Sequence, residues 1–314
     1  MYIFARKDFF KMIVDMLGKT RIKVGLHVHT NRSDGKMSPE EAARMYLEEG
    51  YDAVAFTDHW QFGAEDEVEG LKILSGAEYD IGGHDSSHGV YHVIGIGMTS
   101  DPEIPIDWKN VKKTSAQKAI DTIKKIKLYN GFSMIGHPAW SINTPEQLLS
   151  LGDFDGIEIY NAVSEWGESD RAYSGSQIDG LANLGKIIPI TATDDTHYYE
   201  YDFARAFVMV EAVDMDQQSI VRALRAGRFY ASQGPEIHLI KTAPDKVKLL
   251  CSPCVQVSLF SNLVWAPKHK YLGDGIVEIE YTRQPYEKFI RAEITDADGN
   301  KAWSNIVTFE DFDD

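Results

Sequence analysis

The 314-residue sequence is poor in cysteine, in basic charge and in long apolar runs, and each shortage excludes a class of protein. Its two cysteines, Cys251 and Cys254, cannot form the several bridges that hold a small secreted module together. Lys and Arg number 32 against 48 Asp and Glu, a formal net charge of −16. The surface therefore lacks the basic field with which proteins displace counterions from a nucleic-acid backbone. No window approaches the ~20 apolar residues of a membrane span. Near the N-terminus Arg6, Lys7, Asp8, Lys11 and Asp15 interrupt the apolar stretch before it reaches the roughly 7–15 residues of a signal-peptide core. Fixed-period repeats, low-complexity tracts and long Gly/Ser linkers are also missing. The expectation is a soluble, cytoplasmic chain that grips neither long nucleic acid nor membrane, with its oligomeric state open.

What is there suits a folded α/β protein. With 43% hydrophobic, 11% aromatic and 25% charged residues the chain can bury a full-sized core. Phe9, Met12, Ile13, Met16 and Leu17 recur at helical spacing and predict an N-terminal helix within 1–20. Strand-like runs then end at His29, Thr57, Glu78, Gly97, His137, Tyr160 and Thr193. Helical stretches lie between several of them: Pro39 to Glu49, Ser115 to Leu128, Pro145 to Leu151 and Ala172 to Leu184. Seven short runs separated by helices or loops predict a parallel sheet, most simply a barrel, over 21–235. A further helix, Asp216 to Ala226, ends at Gly227, a natural C′ position. Beyond it VQVSLF, GIVEIEYT and KFIRAEIT alternate apolar with polar residues, and Asp298-Gly299 signals a hairpin. Residues 236–314 therefore predict a small β-sandwich-like domain.

Ten histidines is an ordinary number, but six sit at or beside one end of a predicted strand. In a parallel α/β barrel the carboxyl ends of the strands converge on the face that carries the active site. His27, His29, Asp34, His59, Glu78, His92, His137, Asp195 and His197 would then meet at one mouth. His27 and His29, two apart on a strand, share a face and can hold one ion together. Glu78 and Asp195 supply negative charge and can bridge two ions. Imidazole with carboxylate and without thiolate suits Zn, Mn or Fe.

GLHVHTNRSDG, AFTDHW, GAEYD, HVIGIG, IGHPAW and TDDTH, in this order over about residues 20–210, resemble the motifs of the PHP (polymerase and histidinol phosphatase) family of metal-dependent phosphoesterases. The resemblance implies a distorted seven-stranded (β/α) barrel and two or three divalent ions. It implies that His27, His29, Glu78 and Asp195 hold one ion, with Glu78 bridging to a second held by His92 and His137. Asp34, His59 and His197 would hold a third; many relatives have a histidine where this chain has Asp34. RFYASQGPEI and DADGNKAWSN resemble the β extension of a bacterial branch of the same family.

The function expected from this set is hydrolysis of a phosphate ester of a small metabolite or nucleotide, by hydroxide made available near neutral pH at a di- or trinuclear site. A non-catalytic metal-binding module, or a hydrolase of amides or lactones using the same residues, are the alternatives. Arg32, His84 and His88 are the candidate catalytic residues besides the ligands. Arg32 lies among the ligands and can grip phosphate, and a loop histidine in GGHDSSHG can protonate a leaving alkoxide. Arg171 and Arg205 are weaker candidates. Asp194 would face away from Asp195 in a supporting role. The lysines between Lys109 and Lys127 read as the solvated face of a helix, and Cys251 and Cys254 as plain thiols. Trp60, Trp140 and Trp166 each follow a strand end, where they can stack on a sugar or base or pack over the rim.

Overall fold

The computed structural model describes residues 13–83, 85–105 and 112–309. The chain opens with β1 (Ile13–Val14), β2 (Thr20–Val28), α1 (Pro39–Glu48), β3 (Ala53–Phe56), β4 (Glu67–Val68), β5 (Leu71–Leu74), β6 (Gly76–Ile81) and β7 (Tyr91–Ile96). It continues through α2 (Ser115–Leu128), β8 (Phe132–Ile135), α3 (Pro145–Ser150), β9 (Gly156–Asn161), α4 (Gly175–Asn183) and β10 (Ile190–Thr193). Then come β11 (Phe207–Glu211), α5 (Gln217–Arg225) and β12 (Phe229–Ser232). The remainder is strand: β13 (Ile237–Ala243), β14 (Lys246–Ser261), β15 (Lys270–Thr282), β16 (Phe289–Thr295), β17 (Lys301–Trp303) and β18 (Val307–Thr308).

Local sequence explains where the helices start. Ser38, Thr114 and Thr144 each accept a hydrogen bond from the backbone three residues on, and Glu41, Gln117 and Gln147 reach back to complete a capping box. Asp216 caps α5, and Gly227, with φ +64°, lies just past its end.

The sheets depart from a closed parallel barrel. β2, β3 and β5 pair in parallel within one sheet, and β8, β9 and β10 pair in parallel within another. β7, however, runs antiparallel to both β6 and β8. The run expected as one strand ending at Glu78 is divided at Ser75, so that β5 belongs to one sheet and β6 to the other. Between β6 and β7 the described chain has only a single 3-10 turn, too little for the crossover that parallel neighbours need. Of the expected distorted seven-stranded (β/α) barrel, the described residues show the coarser feature, a mixed α/β fold, here arranged as two sheets. Isolated bridges link the two sheets, among them Val28 with Thr196, at the carboxyl ends of β2 and β10, and His59, just after β3, with Glu78 in β6.

The helix expected within 1–20 falls largely outside the described residues, and its described end is not helical. Residues 1–12 lie outside the described residues, and Ile13–Val14 pairs antiparallel with β2. Asp15 accepts from the backbone of Leu17 and Lys19, and Gly18 adopts φ +73°, a local turn that competes with helix. Strands after Ile237 do not stand apart as a separate sheet: β17 pairs with β12, which extends the β2 sheet through β16 to β14 and β13. The Asp298-Gly299 hairpin connects β16 to β17, with Gly299 at φ +90°.

Candidate metal centre

All nine expected ligands converge where the two sheets meet. His27 lies in β2 and His29 just beyond it; Glu78 and His92 lie in β6 and β7. His59, His137 and Asp195 follow β3, β8 and β10 directly or within a few residues. His137 (φ 26°) and Asp195 (φ 52°) hold left-handed backbone conformations that side chains other than glycine adopt at a cost of about 1–3 kcal/mol each. Tertiary structure fixes them there and so aims both side chains inward. Gly35 allows the loop after β2 to fold back: a Cβ at that position would meet the His29 carbonyl oxygen at 2.4 Å.

Three groups of donors form. In the first, His27 Nε2 and His29 Nε2 are 3.2 Å apart. Glu78 Oε2 lies 3.1 and 2.9 Å from these nitrogens, and Asp195 Oδ1 lies 3.1 Å from both. Donors around one four-coordinate ion at about 2.0–2.2 Å would be separated by about 3.3–3.6 Å, close to this spacing. In the second, the other Glu78 oxygen, Oε1, faces His92 Nδ1 at 2.8 Å and His137 Nε2 at 3.6 Å. In the third, Asp34 lies 3.5 Å from His197 Nε2, 3.7 Å from His59 Nε2 and 3.6 Å from His29 Nδ1. The first two groups are buried, whereas the Asp34 side chain is 55% exposed.

Two buried atoms test whether cations fit. Asp195 Oδ1 makes no hydrogen bond although three imidazole nitrogens lie within 3.5 Å, and His59 Nδ1 makes none although Glu78 and Asp80 oxygens lie 3.4 Å away. Lone pairs that crowd one point without sharing hydrogens are what a cation would satisfy. Burial alone would lower the His27 pKa, yet Asp195, Glu78 and Glu158 hold it well above the ordinary histidine value. Burial would raise the Glu78 and Asp195 carboxyls, but the imidazoles, His27 foremost, hold both well below the carboxylate range. Against burial, neighbouring carboxylates bring His59 up to about 9 and His197 to about 10. The cluster is built for positive charge.

Residues 25–147 match the family model of the PHP domain. A two-domain protein of Bacteroides vulgatus, whose PHP-like metal-dependent phosphoesterase assignment is itself a prediction, shares its fold: TM-score 0.54, 16% identity, 96% of this chain and 99% of that one. A Bifidobacterium adolescentis protein, provisionally assigned as a metal-dependent phosphoesterase, aligns over 55% of this chain and 87% of that one, at 17% identity and TM-score 0.40. An amidohydrolase of Chromobacterium violaceum, with sulfate and no metal, aligns over 66% and 96%, at 14% identity and TM-score 0.40. No curated protein matches.

Around the candidate ligands stands a set of residues that the sequence reading missed. Glu158, fully buried in β9, accepts from His27 Nδ1 at 2.8 Å, His137 N at 2.7 Å, Thr193 Oγ1 at 2.6 Å and Asn161 Nδ2 at 2.9 Å. Asn161 also donates to Asp195 Oδ2 at 3.1 Å. Asp58 accepts from Thr30 N, Thr30 Oγ1 and Ser33 Oγ at 2.7–2.9 Å and shapes the loop before Asp34. Asp80 lies 3.4 Å from His59 Nδ1 and accepts from Trp60 Nε1. A charged residue inside the apolar run DGIEIYN was the available signal for Glu158.

The other expected residues stand further off. Arg32 is paired with Glu65 at 2.6 Å, so its guanidinium is already neutralised. His88 is exposed and bound to Asp85 on the 3-10 turn, with no described contact to the cluster. His84 lies outside the described residues. Arg171 and Arg205 are exposed. Asp194 faces away, as expected: it accepts from Tyr46 OH and the amides of residues 204–206, and burial raises its pKa to about 7. Trp140 packs edge-on against His92 and His137, Trp60 against Tyr79. Cys251 and Cys254 are buried free thiols, Sγ to Sγ 3.8 Å. Among the described residues no helix is long and apolar enough to cross a membrane.

Proposed function

We propose that the chain is a metal-dependent phosphoesterase that hydrolyses the phosphate ester of a small metabolite or nucleotide. The observation that carries this reading is the division of Glu78: one oxygen faces His27 and His29, the other His92 and His137, so a single buried carboxylate can join two cation positions. His27, His29, Glu78 and Asp195 would hold one divalent ion and Glu78, His92 and His137 a second, with Asp34, His59 and His197 as a more exposed third position. Zn, Mn and Fe suit this imidazole and carboxylate set. Bound ions would supply a nucleophile from water near neutral pH and stabilise charge on phosphoryl oxygens.

The chain's own residues do the positioning. His27 Nδ1 donates to Glu158, which directs the Nε2 lone pair inward, and His197 Nδ1 donates to the Asp195 carbonyl at 2.7 Å with the same result. Exposure of Asp34 opens the cluster to substrate on that side. Trp140 covers His92 and His137 and limits water there. A net charge of −16 does not exclude an anionic substrate, since bound cations would make the mouth locally positive.

The test is hydrolysis of an aryl phosphate by protein supplied with Mn or Zn. Turnover should require the added ion, stop on chelation and be lost in His27→Ala with His29→Ala. Activity that survived both treatments, or metal uptake without turnover across a phosphate-ester panel, would overturn the reading.

A further inference from the structure

On the outer side of the wall that carries the metal centre, a cleft of about 510 Å³ lies between the segment after β9 and the hairpin from β16 to β17. Adjacent residues of β9 serve the two sides. Asn161 turns to Glu158 and Asp195, while Tyr160 lines the cleft. Tyr160 stacks on Trp303, with centroids 5.6 Å apart and planes at 19°. Trp303 is 1% exposed, and its indole nitrogen has no hydrogen-bond partner among the described residues.

Two further rings in the lining stay open to solvent: Trp166, 64% exposed, and Tyr173, 41% exposed. The Tyr173 hydroxyl is anchored by Glu293 and Arg291, so this ring is a fixed surface. Gln233, Asp298 and Asn300 bring amide and carboxylate groups to the same space. Its charged groups are Glu165, Asp170 and Asp298 against Arg205 and Lys301, a slight negative excess on an acidic protein, which disfavours a phosphate or another anion. The polar lining equally disfavours a purely apolar ligand.

Open aromatic faces beside planar hydrogen-bonding groups match a pyranose, whose C–H face lies on a ring and whose hydroxyls both donate and accept. We propose that this cleft binds a neutral saccharide, with its C–H face on Trp166 and Tyr173 and its hydroxyls on Gln233, Asp298 and Asn300. The site is independent of the metal centre and does not require the chain to be a phosphoesterase.

The experiment is calorimetric titration of the full chain, both chelator-treated and Mn-supplied, with neutral mono- to trisaccharides of glucose, galactose, mannose and N-acetylglucosamine. At least one should bind saturably, with the same affinity in both preparations. Trp166→Ala and Asn300→Ala should each weaken that affinity about tenfold or more, roughly 1.4 kcal/mol, with the far-ultraviolet circular dichroism unchanged. Absence of binding across the panel overturns the proposal. So does saccharide binding that is indifferent to Trp166→Ala, or that vanishes on chelation and therefore belongs to the metal centre. A control titration with uridine and adenosine should show none, and nucleoside binding lost in Trp166→Ala would also overturn it.

Discussion

Each of His27, His29, His137 and His197 has a second ring nitrogen engaged or closely approached by an oxygen, and that oxygen helps decide which lone pair is presented inward. For His27 the oxygen belongs to the side chain of Glu158, fully buried and 2.8 Å away, which makes Glu158 the closest-held of the side-chain anchors. Glu158→Gln keeps the shape and removes the charge. Its metal affinity, measured by competition with a chelator, should fall roughly 10–100-fold with the fold intact. The histidine pKa values give a second test. His59 at about 9 and His197 at about 10 lie above the unfolded value of about 6.5, so their pairing with carboxylates stabilises fully below about 6.5. That contribution is lost as pH rises through about 9–10. Without added cation, melting temperature should therefore fall between pH 7 and 10; with Mn or Zn the fall should be smaller, because a cation replaces the protons. Equal slopes in the two melting series would contradict this. The ligand types were legible in sequence because imidazole and carboxylate at strand ends are chemically conspicuous. Glu158 and Asn161 were not: a bulge in β9, where the register against β10 shifts between Thr191 and Ala192, lets both face the cluster although they are three positions apart.

At the scale of elements, short-range chemistry was the readable part. Helices announced themselves by capping residues and by Gly227, signals carried within a few positions of the chain. Strand pairing was not readable in this way, because β6 to β8 match partners by direction and register rather than by their own composition. Loops after the strands depend on close backbone approach. Gly35→Ala places a methyl against the His29 carbonyl and should cost about 1–3 kcal/mol in urea denaturation. It should also weaken binding at the exposed third position more than at the two buried ones, since Asp34 is its neighbour. Metal titration that resolves the positions would check this, and an unchanged stability would show that the loop yields without strain.

Across the whole molecule, the C-terminal strands share both a sheet and a core with the preceding part of the chain. Ile237, Val247, Leu259 and Ile290 lie in one buried cluster with Tyr46, Tyr51 and Phe56. Arg291, fully buried in β16, ties the two regions from the other side: its guanidinium binds Asp179 of α4 through Nε at 2.6 Å and Nη2 at 2.8 Å, and meets Glu293 and Tyr173. Arg291→Ala would leave Asp179 and Glu293 without their cation and should cost about 3–5 kcal/mol. Because β17 joins β12 in one sheet, unfolding should remain a single transition at a lower denaturant midpoint. Two separated transitions would show that the regions unfold independently.

The sequence by itself determined the acidic, thiol-poor character of the chain, the helices and the nine residues of the candidate centre, since these follow from side-chain chemistry and local spacing. Only the tertiary structure decided that β7 runs antiparallel, that two sheets meet at the cluster, that Arg32 is spent on Glu65, and that Trp166 faces a cleft outside the centre. Those features depend on which distant segments pair. That choice is made by burial and hydrogen bonding over the whole chain, and no single stretch of it carries the information.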